Sequence, residues 1–227
     1  DLAIPLEEKK YESLNGGYQF KIGPHASTTY GVYSMPSEEG LLCNATYECG
    51  KVNFTAHRGV DVKAQYIRGP DAIRMVEENG QVKKAYDAKY HQIDRTKLSK
   101  VHTDLCAVPL PKGMVQERAN GWRPPIPGEA CVLTVAFKHP KFGQKNLGGV
   151  YVSQGNVTKD YSSHWGHTCP SEEGDCGAGI WALSDGKLIG FHELGSGNDK
   201  ENGFIPVSAN WAELCQGTVP TRVAHLN

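Results

Sequence analysis

Short apolar-rich runs, each stopped by a turn residue after five to eight positions, constrain this chain more than any other feature. They are YQFKIG, KVNFTAH, DVKAQYI, AIRMVE, QVKKAYD, LCAVPL, ACVLTVAF, GVYVSQG, GIWAL, KLIGFHEL and GFIPVS. Gly, Pro, Asn or Asp bound them, as in ENGQ and SDGK. No apolar stripe of helical period runs longer than a few turns. Many short strands at regular spacing predict an all-β fold, an antiparallel barrel or sandwich. With 227 residues the chain can bury the core of one large domain or two small ones.

The main break is PLPKGMVQERANGWRPPIPGE, residues 109–129, which holds five prolines and three glycines. It reads as a linker between two β units. The expected division is an N-terminal extension at 1–25, a first β-barrel at 26–110, a linker at 111–128, a second β-barrel at 129–208 and a C-terminal tail at 209–227. In SANWAELCQG, a cap at Ser208 or Asn210 predicts one short helix.

Acidic and basic residues number 25 and 24, so no basic excess points to nucleic acid as the main partner. No apolar run approaches the roughly 20 residues that span a bilayer, and DLAIPLEEKK lacks the apolar core of a signal peptide. The seven cysteines are odd in number and form no disulfide framework, which favours a reducing compartment. Sequons at Asn44, Asn53 and Asn156 carry little weight, because such tripeptides are common by chance.

Chemistry concentrates at EGDCGAG. Glycines around Cys176 permit positive φ, so that successive N–H groups can converge on one point as an oxyanion hole. The expected donors are the N–H groups of Gly174 and Cys176, with Asp175 between them. Cysteine gains more than other nucleophiles from a neighbouring imidazole, because the thiolate is its reactive form. His57, closing the run VNFTAH before a polar loop, is the candidate base. Asp104, at the head of the apolar run in TDLCAVPL, is the candidate for orienting it, with Asp94 and Asp61 in reserve.

FTAHRG, TDLCAVPL and GDCGAG follow in the order histidine, acid, nucleophile, which resembles the chymotrypsin-like fold; GDCGAG resembles that superfamily's GDSGGP with cysteine for serine. PSEEGDCG is similar to the PT-x-x-G-x-CG segment of the 3C-like cysteine proteases of positive-strand RNA viruses, with Ser171 at the threonine position. GFHELG reproduces their G-x-H-x-x-G at Gly190, His192 and Gly195. The likeness covers roughly residues 50–207. It implies two antiparallel six-stranded β-barrels and a cysteine endopeptidase with the triad Cys176, His57 and Asp104, although many relatives carry glutamate as the third member. It implies a viral polyprotein as the polypeptide substrate, no cofactor, and action in the host cell cytoplasm. It also implies an S1 pocket in which His192, with Ser171 and Thr168, recognises a Gln or Glu at P1.

A zinc site from His164, His167, Cys169 and Cys176 competes for the same region, but its spacing matches no standard knuckle and leaves GDCG unexplained. The basic clusters HPKFGQK and KLSK do not exceed a normal solvated surface; RNA binding and homodimer formation stay open.

Overall fold

Strands form where β-branched and aromatic residues gather between turn formers. The computed structural model describes residues 18–21, 28–36, 40–56, 58–116, 121–137, 149–195 and 201–217. In chain order the elements are β1 (Tyr18–Lys21), β2 (Thr29–Tyr33), β3 (Leu41–Glu48), β4 (Lys51–Thr55), α1 (Arg58–Lys63), β5 (Tyr66–Glu78), β6 (Gln81–Gln92), β7 (Ser99–His102) and β8 (Leu105–Pro109). Then follow β9 (Ala130–Ala136), β10 (Gly149–Asp160), β11 (Trp165–His167), β12 (Gly179–Ala182), β13 (Leu188–Gly195), β14 (Asn202–Pro206) and α2 (Trp211–Gly217).

The strands fall into two antiparallel systems. The first is a seven-stranded sheet of order β6-β5-β2-β3-β4-β8-β7. In the second, β10-β11-β14-β13-β12-β9 closes through an extra β9–β10 ladder into a six-stranded barrel. Strand β1, from the expected N-terminal extension, adds to β10 of that second barrel. The all-β class is thus the one the strand pattern predicted, and the two β units match the fold that the resemblance implied, except that the first is a seven-stranded sheet where a six-stranded barrel was expected.

Local expectations fared unevenly. Residues 61–63, expected in a strand, lie in α1, whose turn is closed by the Ala64 N–H on the Val60 carbonyl. Strand β5 begins only at Tyr66, after the Gln65 N–H reaches the Tyr33 carbonyl. Strands β2, β3, β7 and β11 were not among the predicted runs. In β3 the reason is visible: Asn44 and Thr46 are buried polar residues, which break an apolar alternation. The expected C-terminal helix is present as α2, with the Leu214 N–H on the Asn210 carbonyl.

Each unit has its own core, and a third joins them. Tyr30, Val52, Phe54, Ile67, Leu98 and Cys106 pack inside the first; Leu133, Ile180, Ile189 and Phe204 inside the second. Between them Leu105 and Ala107 of β8 pack with Val132, Trp181, Phe191, Ile205 and Trp211. The Tyr33 hydroxyl also donates across the seam to the Phe137 carbonyl at 2.7 Å. The described linker is divided: Met114 packs in the first core and the Val115 N–H donates to the Pro70 carbonyl at 3.2 Å, whereas residues 121–128 lie on the second barrel, with the Arg123 N–H on the Leu188 carbonyl at 3.0 Å. Arg123 makes a two-point contact with Glu129 at 2.7 and 3.0 Å and donates Nε to Asp185 at 2.8 Å. Such planar pairing suits guanidinium and carboxylate. The cleft between the units is therefore held in a defined geometry.

Candidate active site

Cys176 occupies the turn before β12, and that turn is held by β3 of the other unit. The Asn44 N–H donates to the Cys176 carbonyl at 2.8 Å, and the Thr46 hydroxyl to the Gly177 carbonyl at 3.0 Å. The Asn44 side chain works in both directions: Nδ2 donates to the Gly174 carbonyl at 3.5 Å, while Oδ1 accepts the Ala136 N–H at 3.3 Å. Gly174 and Gly177 have φ of +94° and +91°, the left-handed region where glycine carries no Cβ penalty. At Gly177 a Cβ would run into the Asn44 carbonyl oxygen, so the close approach to β3 also requires glycine.

The oxyanion candidates separate here. The Asp175 N–H donates back to the Glu172 carbonyl at 3.1 Å, while its buried carboxylate accepts the Glu172 N–H at 3.0 Å. Its amide is therefore spent on the turn and its side chain braces it. The Cys176 thiol is half-buried and donates to the Glu193 carbonyl at 2.7 Å. A thiolate has no proton to give and is repelled by a carbonyl oxygen, so ionisation releases the sulfur from this contact.

Of the other triad candidates, His57 lies outside the described residues. Asp104 sits in the tight turn between β7 and β8. Its carbonyl accepts the Ala56 N–H at 2.8 Å and its own N–H donates to His102 Nδ1 at 3.1 Å. Its carboxyl group lies beside that of Glu193, within hydrogen-bonding reach. The reserves are committed elsewhere. Asp61 is buried in the first unit, accepting the Cys106 thiol at 3.4 Å and facing Lys100 at 3.5 Å. Asp94 caps a 3-10 turn through Thr96.

A second cluster lies behind the nucleophile turn. His192, on β13, is tied to that turn through its backbone: its carbonyl accepts the Gly177 N–H at 2.6 Å and its N–H donates to the Ala178 carbonyl at 2.8 Å. Its ring Nδ1 is 2.9 Å from Nε2 of His167, on β11. The neighbours fix the tautomers. The Cys169 N–H donates to His167 Nδ1 at 3.0 Å, so that nitrogen is an acceptor and the proton sits on Nε2. His167 Nε2 then donates to His192 Nδ1, which leaves the His192 proton on its own Nε2. Burial first, and the adjacent His192 second, hold His167 well below the usual histidine range, so this chain of rings is neutral.

Asn202 Nδ2 bridges the Cys169 carbonyl at 2.9 Å and the Ser171 hydroxyl at 3.2 Å, which ties down the segment between β11 and β12 that carries Ser171. Thr168 turns the other way: it is exposed, and its hydroxyl accepts the Asn156 N–H of β10 at 2.9 Å. Ser171 is thus tied to Asn202 of β14, the residue opposite His167 in the β11–β14 ladder, whereas Thr168 lies on the outer face.

The zinc alternative is not assembled. His167 is paired with His192, Cys169 with Cys131 (sulfurs 3.6 Å apart) and Cys176 with Glu193, while His164 stacks on Tyr161. No three potential ligands converge among the described residues. Of the basic clusters, Lys97 and Lys100 pair with Asp94 and Asp61, and HPKFGQK lies outside the described residues. Asn44 and Asn53 are fully buried, so two of the three sequons cannot carry a glycan in this fold.

Sequence reasoning missed two residues at this site, His167 as a partner of His192 and Glu193 as a partner of Asp104. Both signals were present as buried-looking polar residues in apolar surroundings, in HWGHTC and IGFHELG.

Comparison with known proteins agrees with this geometry. A family model, Peptidase family C4, matches residues 40–218. The genome polyprotein of Brome streak virus (strain 11-Cal) is 34% identical over 106 residues, 46% of this chain and 3% of that polyprotein. That of Zucchini yellow mosaic virus (strain Singapore) is 33% identical over 122 residues, 50% of this chain and 4% of the polyprotein. The chain thus spans only a few per cent of the length of these relatives. Among solved structures, a mutant of tobacco etch virus protease superposes with a TM-score of 0.57 at 17% identity, covering 88% of this chain and 85% of the other. Human heparin binding protein reaches the same TM-score at 13% identity, covering 90% and 96%. A fold shared by such different proteins does not decide function; the site does. Taken with the cysteine turn and the histidine layer behind it, the match over residues 40–218 shows that the chain belongs to peptidase family C4, the chymotrypsin-like cysteine proteases found in viral polyproteins.

Proposed function

We propose that this chain cleaves its polyprotein after glutamine, through a triad of Cys176, His57 and Asp104. His57 takes the thiol proton of Cys176, and the freed thiolate adds to the scissile carbonyl carbon. The Gly174 and Cys176 N–H groups receive the tetrahedral oxyanion. Its collapse breaks the C–N bond, and the imidazolium gives its proton to the leaving amine. Water, deprotonated by His57, then hydrolyses the thioester and returns the thiol proton. Asp104 holds the imidazole in the tautomer that presents Nε2 to sulfur.

The observation that carries the proposal is the ring chain Cys169 N–H, His167, His192, beside the nucleophile turn. It leaves a neutral N–H donor at His192 Nε2. A neutral donor in a nearly closed site suits a side-chain amide carbonyl. A carboxylate would have to be desolvated there without a counter-charge. Glutamine is therefore preferred over glutamate, and Ser171 supplies a hydroxyl beside the same pocket.

The test is a set of peptides alike except at P1, carrying Gln, Glu, Asn or Ala. The Gln peptide is expected to be cut best, with kcat/KM for Ala lower by at least about a hundredfold. Cys176→Ala is expected to abolish cleavage of all four. Equal cleavage by folded wild type and Cys176→Ala would overturn the nucleophile, and equal cleavage of Gln and Ala peptides would overturn the pocket.

A further inference from the structure

Two buried carboxyl groups beside the nucleophile, Asp175 and Glu193, belong to neither the triad nor the pocket; Asp175 braces the nucleophile turn, which leaves Glu193 without an assigned part. It is 5% exposed, and no described lysine or arginine pairs with it. Its position has a backbone cause. The β13–β14 ladder pairs His192 with Phe204 and Leu194 with Gly203, so Glu193 is the extra residue of a β-bulge. Bulges re-aim side chains beside active sites. Here the bulge gives Glu193 two contacts in the cleft: its carbonyl accepts the Cys176 thiol at 2.7 Å, and its carboxyl group meets that of Asp104.

Two carboxyl groups form a hydrogen bond only when one proton lies between them. We propose that Glu193 is a positioning residue for Asp104: in its acid form it donates a hydrogen bond to the Asp104 carboxylate and holds that carboxylate in place across the cleft. The inference rests on Asp104 being the triad acid. Asp104 sits in the tight turn between β7 and β8 of the first unit, so a donor reaching over from the second barrel restrains its rotamer from across the cleft. The titration behaviour agrees: burial first, and the Asp104 carboxyl group second, push Glu193 up to about 7. Among the described residues, the other titratable groups facing the pair are His102, whose Nδ1 is occupied by the Asp104 N–H, and the Cys176 thiol. His102 is itself held below its usual range, by burial first, and so adds no positive charge at neutral pH.

Above neutral pH the shared proton is lost, two adjacent negative charges repel, and Asp104 loses its restraint. The reaction should therefore carry an alkaline limb that belongs to Glu193. Glu193→Gln keeps an N–H donor and removes the titration; Glu193→Ala removes both. On a Gln-P1 peptide, wild type is expected to lose kcat several-fold between pH 6 and 8.5 with KM nearly unchanged. Glu193→Gln should lack that step. Glu193→Ala should run about tenfold below wild type in kcat at pH 6, the loss expected for one charge-assisted hydrogen bond.

A reading independent of turnover is the carbon-13 titration of the Glu193 carboxyl in a Cys176→Ala background. A midpoint near 7 that moves down in Asp104→Asn, while burial still keeps it above the ordinary carboxylate range, is expected. A Glu193 midpoint near 4.3 with Asp104 intact, or equal kcat at pH 6 for the Ala and Gln variants, would overturn the inference while leaving the triad untouched. A midpoint near 7 together with full kcat in Asp104→Asn would overturn the triad reading itself, and with it the catalytic role of the pair.

Discussion

The sequence singles out His192 for a specificity pocket and His167 only as a metal ligand, and the difference is instructive about single residues. GFHELG gives His192 a family position, whereas His167 stood only as a possible metal ligand in SSHWGHTC. Nothing in spacing reveals that the Cys169 N–H turns back onto His167 Nδ1, yet that bond decides which nitrogen of His192 carries the proton. An orienting partner of this sort is conformational information, and one-dimensional patterns do not hold it. A substitution tests the assignment. His167→Phe keeps ring volume and removes the donor, so that His192 is free to place its proton on Nδ1 and present an acceptor to the substrate. The expected result is a drop in kcat/KM of roughly ten- to a hundredfold on a Gln-P1 peptide, carried mainly by KM. His192→Ala should cost at least as much. Were His167→Phe to keep wild-type kinetics while remaining folded, the ring chain would have no part in recognition.

At the level of elements, the turn that bears Cys176 is shaped as much by β3 as by its own glycines. The glycine cluster announced the turn in advance; β3 was invisible, because the residues that do the holding, Asn44 and Thr46, are polar where a core strand is expected to be apolar. Asn44 was noticed only as a sequon. In the fold it links three segments, through Cys176, Gly174 and Ala136. This dependence makes Gly177 the sharpest test of the element. Gly177→Ala combines a left-handed φ of +91° with a Cβ driven into the Asn44 carbonyl. It should cost about 2–3 kcal/mol and lower Tm by roughly 4–8 °C. Because the turn must move off β3 to relieve the clash, kcat/KM should fall about a hundredfold, the usual penalty for displacing a reacting group by about 1 Å. Crystals or NMR spectra of the variant with the Asn44–Cys176 bond intact and activity preserved would show that β3 is not what holds the nucleophile.

For the whole molecule, the all-β class in two units was readable because it depends only on strand number, turn spacing and the proline-rich break at 109–129, which survive errors at individual strands such as residues 61–63. The placement of charge at the seam between the barrels was not readable, since it arises from residues 89 positions apart, Asp104 and Glu193. That seam makes stability depend on pH in a way that can be worked out. Glu193 is raised from its ordinary range to about 7 in the folded protein. A raised folded pKa contributes stability that is complete below the unfolded value, near 4.3, and is lost as pH climbs towards 7. Buried His167 acts in the opposite sense over an overlapping window. Its lowered folded pKa contributes stability that is complete above the unfolded value near 6.5 and is lost as pH falls. Between about pH 4.5 and 6.5 the two slopes oppose each other, so the wild-type Tm should change little there and then decline towards pH 7 and slightly beyond. Removing one partner unmasks the other. The Tm of Glu193→Gln relative to wild type should rise steadily from pH 4.5 to about 7 and then level off, while that of His167→Phe relative to wild type should rise as the pH is lowered below 6.5. Parallel Tm curves for wild type and Glu193→Gln across pH 4.5–8 would mean that the Glu193 proton is not linked to folding and that the seam is held by packing alone.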